Sequence, residues 1–218
     1  MQDNINNRLI RYNTRMNTSK HIFRAVLTGG PCAGKTTSIP YIKSAFEKRG
    51  WKVLFVSETA TELIRSGVTR EACVTPITFQ RCVSSMQLAR EDEYISMANL
   101  LPDERILILF DRGILDGKSY ISSEEFDTIL EEIGLSEDDV LSRYDAVFHL
   151  ETTAKGAVEN YKSIDNGGRS ELPELAAELD NRLQEIWGKH EHFIVLDNST
   201  DFERKVQRLI DAILYELH

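Results

Sequence analysis

The sequence predicts an α/β fold, with five parallel strands forming one sheet between two layers of helices. Three observations predict it. Five short, continuous apolar runs recur along the chain, and runs without alternation are typical of strands covered on both faces. A helical pattern fills every gap between them, so successive strands run parallel through right-handed crossovers. The first run leads straight into a glycine-rich turn and then into a helix. In such sheets ligands bind beyond the carboxyl ends of the strands, so chemistry is sought just after each run.

Composition narrows the function classes. With 218 residues and 41% hydrophobic content, the chain can bury the core of one α/β domain carrying a decorated substrate region. A net charge of −9 argues against nucleic-acid binding, because neutralising phosphates needs a basic face. Cys32, Cys73 and Cys82 lack metal-ligand spacing and disulfide density, and read as reduced thiols of a cytoplasmic protein. No apolar run approaches the ~18 residues of a membrane span. The N-terminus lacks the apolar core of a signal peptide. Residues 1–20 are polar, Asn-rich and mildly basic, and read as an arm outside the core. A contact with acidic lipid or a partner is the alternative for that arm. Residues 21–218 read as one unit.

The first strand is expected over His21–Thr28. It is followed by Gly29, four residues, then Gly34, Lys35 and Thr36, which is the full phosphate-binding-loop pattern. The glycines let successive backbone N–H groups curl round a polyphosphate. The next helix, marked by Ile39, Ile42 and Phe46, aims its N-terminus at the same phosphates. Lys35 supplies a mobile charge for the β- and γ-phosphates, and the Thr36 hydroxyl is placed to ligate Mg²⁺. Gly29, Gly30, Pro31, Cys32, Ala33, Gly34, Lys35, Thr36 and Thr37 are therefore the candidate nucleotide-binding residues. Cys32 reads as a small residue that fits the loop, with redox sensitivity as the alternative.

A second strand, Trp51–Ser57, delivers Glu58 to the carboxyl edge. Glu58 reads as a general base or a ligand of the acceptor hydroxyl, or else as a helix N-terminal carboxylate beside a Ser57 or Thr59 cap. A short helix over Ala60–Ser66 ends at Gly67. A long one follows from Pro76 to Leu101, with Ile77, Phe79, Val83, Met86, Ala89, Met97 and Leu100 as its core stripe. Gln80 and Arg81 stand apart, since an amide beside a guanidinium can read a planar heterocycle or an anion. Solvent exposure is their alternative. Residues 58–104 are thus the expected acceptor region.

The third strand, Arg105–Asp111, ends in Asp111-Arg112-Gly113. Asp111 suits organising Mg²⁺ and its waters, or taking the proton of an attacking hydroxyl. Its structural alternative is a cap on the next turn. Arg112 would steady the transferring group or the acceptor, with Asp116 and Tyr120 just beyond. Two acidic surface helices follow, Glu124–Leu135 and Ser136–Arg143, the second opened by the capping pair Ser136 and Asp139.

The fourth strand, Tyr144–Leu150, leads to a helix over Ala154–Lys162 and a polar, Gly-rich break over Ser163–Ser170. Pro173 opens the next helix, striped by Leu175, Ala176, Leu179, Leu183, Ile186 and Trp187. Helix, arginine-bearing loop and helix over residues 152–190 read as a closing lid. Closure would bring Arg169 onto the phosphates, ahead of Lys162 and Arg182. The last strand, Phe193–Asp197, puts the Asp197–Ser199 turn where its backbone could touch a nucleobase. Thr200 and Glu203 form a capping box for a final helix sealed by Val206, Leu209, Ile210, Ile213 and Leu214.

With these residues in place, the chain from Phe23 to Leu214 resembles a P-loop kinase. Ser57-Glu58, Thr78-Phe79-Gln80 and Phe110-Asp111-Arg112-Gly113 are similar in order to segments of deoxynucleoside kinases. That resemblance implies that Glu58 is the base, that Gln80 reads a nucleobase, and that an acid-Arg pair closes the third strand. The pair here is Asp-Arg-Gly rather than Glu-Arg-Ser. The stretch through Arg169, Asp180, Arg182 and Asp197-Asn198-Ser199-Thr200 resembles the AAA-type ATP-binding family. That family includes TRPL translocation defect proteins and the nicotinamide-riboside kinase domain of a bacterial NAD regulator. Together the resemblances imply a P-loop NTPase fold with strand order 2-3-1-4-5, Mg-ATP as donor and a small acceptor.

The expectation is an ATP- and Mg²⁺-dependent phosphotransferase acting on a nucleoside- or nucleotide-like hydroxyl compound. Lys35, Glu58, Asp111, Arg112 and Arg169 are its candidate catalytic residues. Glu58, Gln80, Arg81, Asp111 and Arg112 are candidates for the acceptor, and Thr36 and Asp111 for the metal. The rival is a nucleotide-binding switch or membrane-trafficking module with slow NTP hydrolysis. Against a GTP switch, the sequence has no Asn/Thr-Lys-x-Asp guanine signature.

Overall fold

The computed structural model describes residues 20–155 and 172–218. Five strands form one all-parallel sheet: β1 (His21–Thr28), β2 (Lys52–Val56), β3 (Arg105–Asp111), β4 (Ala146–Leu150) and β5 (Phe193–Leu196). Their order is β2-β3-β1-β4-β5, the order the kinase resemblance implies. The register sets Leu27 beside both Asp111 on β3 and Phe148 on β4, so the carboxyl ends of the three central strands lie side by side.

The continuous apolar runs exist because each strand is covered twice. Phe23, Ala25, Leu27, Leu107, Leu109 and Phe148 face a first cluster with Ile39, Ile42 and Phe46 of α1 (Lys35–Glu47) and Val206, Leu209 and Ile213 of α7 (Phe202–Glu216). Their neighbours Val26, Ile106, Ile108, Phe110 and Val147 face the second cluster. There they meet Ala98 of α3 (Pro76–Leu100), Phe126 and Ile129 of α4 (Ser123–Glu132), Val140 of α5 (Glu137–Ser142), and Leu183 and Trp187 of α6 (Pro173–Trp187). A smaller cluster joins Ala60 and Leu63 of α2 (Thr59–Arg65) to Phe79 of α3.

Several local expectations shift. The fourth strand begins at Ala146 rather than Tyr144, because Asp145 turns back to pair with Arg24 at 2.7 Å and Tyr144 packs edge-on between Phe110 and Trp187. Pro173 does open α6, but Leu175 is exposed, so the stripe turns to bury Ala176, Leu179, Asp180, Leu183 and Trp187. The final helix is capped by Asp201, whose Oδ1 accepts the Arg204 N–H at 2.9 Å, and not by Thr200. Ser136 and Asp139 form the expected capping box, and Ser122 with Glu125 forms another one ahead of α4.

The largest departure is α3. Met86, Met97 and Leu100 of the expected core stripe are exposed. The buried face instead carries Gln80, Ser84, Gln87 and Glu91, beside Phe79 and Ala98. Lys20, placed with the arm by its sequence, donates its ammonium to the carbonyls of Ala98 and Asn99 at 2.8 and 2.9 Å. It thereby satisfies orphan acceptors at the C-terminus of α3. Residues 1–19, most of the expected 154–162 helix with Lys162, and the Ser163–Ser170 break with Arg169 lie outside the described residues. No described helix is long and apolar enough to cross a membrane.

Candidate active site

The loop after β1 takes the path its glycines permit. Gly29 has φ +135° and Gly34 φ +88°. A Cβ on Gly29 would lie 2.0 Å from the Leu150 carbonyl oxygen, so only glycine lets the loop pass the end of β4. Gly30 N–H donates to Asp180 Oδ1 at 2.9 Å, and Thr152 Oγ1 donates to the Pro31 carbonyl. Lys35 is buried, with its ammonium on the carbonyls of Gly29 at 2.8 Å and Gly30 at 3.1 Å. Burial first, and the Arg112 charge second, push its pKa down to about 8 against the pull of Asp111, Glu58 and Asp116.

The first turn of α1 and the end of β3 bring Thr36 to Asp111, with Oγ1 donating to Oδ2 at 2.8 Å. Asp111 is buried, and burial raises its pKa while Lys35 pulls the other way. Among the described residues no three or more His, Cys, Asp or Glu side chains gather as a metal cage. A hydroxyl beside a carboxylate fits Mg²⁺, which takes few protein ligands and fills the rest of its octahedron with phosphate and water oxygens.

A cleft opens beside this pair, between α2, α3 and the 3₁₀ turn Ile114–Ser119. Arg112 projects into it. The residue has φ +75°, a conformation rare for a bulky side chain, and its backbone is fixed on both sides. Its N–H donates to Leu27 O at 3.0 Å and its carbonyl accepts from Gln87 Nε2 at 3.2 Å. The guanidinium then spans two carboxylates, Glu58 Oε1 at 2.7 Å from Nε and Asp116 Oδ2 at 2.9 Å from Nη1. Burial disfavours the guanidinium charge, but Tyr120, Glu58 and Asp116 outweigh it and raise its pKa well above normal. Asp116 is itself pinned by the Thr28 hydroxyl at 3.0 Å and Trp187 Nε1 at 2.8 Å. Glu58 also accepts from Thr61 Oγ1 at 2.5 Å.

A P-loop with a hydroxyl–carboxylate pair at the end of the third strand marks a nucleotide-binding domain, and a family model described as AAA domain matches residues 24–205. The chain belongs to the AAA domain family. A comparison with curated proteins found no match. The five-stranded sheet of order β2-β3-β1-β4-β5 is that of a P-loop NTPase, the class to which this AAA domain's nucleotide chemistry belongs.

Within this AAA domain, Lys35, Thr36, Glu58, Asp111 and Arg112 come together at one strand edge. Gln80 lines the cleft, but Arg81 does not. It faces outward and pairs with Glu132 at 2.5 Å, because the helix turns by about 100° per residue and only one of two neighbours can point inward. Ser57 and Thr59 do not cap α2. The Ser57 hydroxyl goes to Glu62 and that of Thr59 to Gln87. Arg182 pairs with Glu178 on the surface. The Asp197–Ser199 turn braces the loop region from behind. The Asn198 amide donates to the carbonyls of Thr152 at 2.8 Å and Lys155 at 2.9 Å, and the buried Lys205 ammonium reaches Glu151 O at 2.7 Å.

Two features take on roles that the sequence reading did not assign, the first at Asp180, a position of the AAA-type resemblance. Asp180 is fully buried behind the loop, accepting from Gly30, from Thr152 N at 3.1 Å and from Lys155 Nζ at 2.7 Å. His149 Nε2 lies 3.1 Å from its Oδ1, without the alignment of a hydrogen bond. The second is the polar face of α3. Gln87 Nε2 donates to Glu91 Oε1 at 2.8 Å, and Glu91 also accepts from Tyr144 OH at 2.8 Å and Arg143 Nε at 3.0 Å. Burial raises the pKa of Glu91, with Gln87, Tyr144 and Arg143 opposing. A sequence signal for this face existed, since positions 80, 84, 87 and 91 recur at helical spacing.

Proposed function

We propose that the chain is an ATP- and Mg²⁺-dependent phosphotransferase acting on a small hydroxyl-bearing acceptor. One observation carries the reading: directly after Asp111, the partner of Thr36 at the phosphate loop, Arg112 enters a second cleft that it lines together with Glu58 and Asp116. Hydrolysis alone needs a site for water. A walled second cleft beside the phosphates suits a second substrate.

In this reading the loop backbone and Lys35 hold the triphosphate, and Thr36 and Asp111 hold Mg²⁺. The metal supplies charge neutralisation on the phosphate oxygens. The acceptor oxygen attacks the γ-phosphorus, the bond from that phosphorus to the β,γ-bridging oxygen breaks, and ADP leaves. Glu58 takes the acceptor proton. Arg112 offsets charge that builds on the transferred group, and its two carboxylates hold it there beforehand. Asp111 pairs with Thr36 at 2.8 Å and is assigned to the metal with it, which leaves Glu58 as the base of this reading.

The test is incubation with Mg-ATP and a panel of nucleosides, nucleotides and sugars, with ADP release followed by a coupled assay. ADP formation that depends on one acceptor class is expected. Slow ADP release, equal with and without every acceptor, would replace the proposal with a nucleotide-binding regulatory module.

A further inference from the structure

We propose that Ser84, with Gln80 one turn earlier on α3, is a specificity residue that binds an amide-type edge of an uncharged acceptor. The inference rests on the phosphotransfer reading of the cleft and narrows its substrate class. Its starting point is an unsatisfied group. Ser84 is 1% exposed and lines the cleft, and its Oγ has no hydrogen-bond partner among the described residues. Buried hydroxyls are nearly always partnered, and leaving one unpaired costs stability.

The rest of the polar face explains itself and Ser84 does not. Gln87 is consumed by Thr59, Glu91 and the Arg112 carbonyl, and Glu91 by Tyr144 and Arg143. Those two side chains brace Arg112 and the second core cluster. A residue needed only for packing at position 84 would be satisfied by alanine. Gln80 lines the same cleft, and a Cβ on Gly117 would lie 2.7 Å from Phe126 Cε2 and 3.0 Å from Gln80 Oε1, so the glycine makes room for both side chains. An amide and a hydroxyl one helical turn apart offer a donor and an acceptor to a ligand edge.

Charge sets the rest of the class. Of the described residues lining the cleft, Arg112 alone is cationic, and it is shared by Glu58 and Asp116. The lining therefore carries two carboxylates against one guanidinium, and a phosphorylated or acidic acceptor meets a net negative wall. The rest of the lining is uncharged, with Ala60, Val83 and Ile114 among it. The occupant that fits is a neutral molecule with its hydroxyl at the charged end and an amide or lactam edge at the Ser84 end. Uncharged nucleosides have that form, and their 5′-monophosphates do not.

The experiment compares native protein and S84A with uridine, cytidine, inosine and guanosine, each beside its 5′-monophosphate. Acceptor-dependent ADP release, direct binding by titration calorimetry and thermal melting are all measured. The native protein should use a neutral nucleoside in preference to its monophosphate. S84A should raise the acceptor KM about 5- to 10-fold with a much smaller change in kcat, as loss of one uniform hydrogen bond predicts. S84T, which keeps the hydroxyl, should restore most of it. Because Oγ has no partner among the described residues, S84A should melt no lower than the native protein. An unchanged KM, a lowered melting temperature or a preference for monophosphates would overturn the proposal. If no acceptor stimulates ADP release, the phosphotransfer reading fails by itself. Nucleoside binding that S84A weakens would then still uphold the role of Ser84, and its absence would end both.

Discussion

Asp180 sits where α6 touches the phosphate loop, and replacing it with asparagine should cost the protein about 10 °C in melting temperature. Oδ1 accepts Gly30 N–H at 2.9 Å and Thr152 N–H at 3.1 Å, while Oδ2 accepts Lys155 Nζ at 2.7 Å and Gln184 Nε2 at 3.2 Å. Asparagine keeps one oxygen for the two backbone donors. Its NH₂ then faces the Lys155 and Gln184 nitrogens, donor against donor, and Lys155 loses its counter-charge. Removing one partner of a buried pair costs about 3–5 kcal/mol. At roughly 2–4 °C per kcal/mol for a chain of this size, that is on the order of 10 °C.

The pH dependence adds a second check. Burial by itself would raise the pKa of Asp180, but His149, Lys155 and the Gly30 N–H hold it far below the usual carboxylate range. A carboxyl with a depressed folded pKa contributes stability that is fully present above its unfolded pKa of ~3.9. That contribution is lost as pH falls through the folded value. The gap between native and D180N melting curves, followed by circular dichroism, should narrow as pH falls below about 4. A gap under about 2 °C at neutral pH, or one that widens as pH falls below about 4, would refute the reasoning.

Other outcomes follow from the same geometry. Glu58→Gln should lower kcat by about 10²–10⁴ with Mg-ATP affinity nearly kept, and an unchanged kcat would remove Glu58 as the base. Because the Lys35 ammonium has a pKa of about 8, Mg-ATP affinity should fall as pH rises through that value, by up to about tenfold per unit. Lys35→Arg should flatten that profile, since guanidinium stays charged, and a flat native profile in equilibrium titrations would contradict the assignment. Gly29→Ala would place a Cβ 2.0 Å from the Leu150 oxygen at φ +135°, so fluorescent-nucleotide binding should be lost and the melting point lowered. Full nucleotide affinity in that variant would show that the loop can take another path.

The chain states its architecture plainly because two local rules coincide in it. Buried parallel strands must be apolar on both faces, so the runs of residues 25–27 and 106–110 mark β1 and β3, which have the bounds the sequence predicts. A loop that wraps a polyphosphate needs glycine, lysine and threonine at fixed spacing, so residues 29–36 declare themselves without any neighbour. Asp111 and Glu58 were legible for a related reason: ligands gather where parallel strands end.

Which side chains of α3 face inward was decided elsewhere. An apolar count favoured Met86, Met97 and Leu100, yet the helix turns Gln80, Ser84, Gln87 and Glu91 inward, because partners on distant strands and turns, Arg112, Arg143 and Tyr144, satisfy two of them. The same holds for Asp180, 150 residues from the Gly30 amide it accepts, and for Arg112, whose two carboxylates come from opposite sides of the cleft. Local spacing is written in the chain because a turn or a strand face needs only its own neighbours. Buried polar pairing depends on which groups the fold makes adjacent, so only the tertiary structure could assign it.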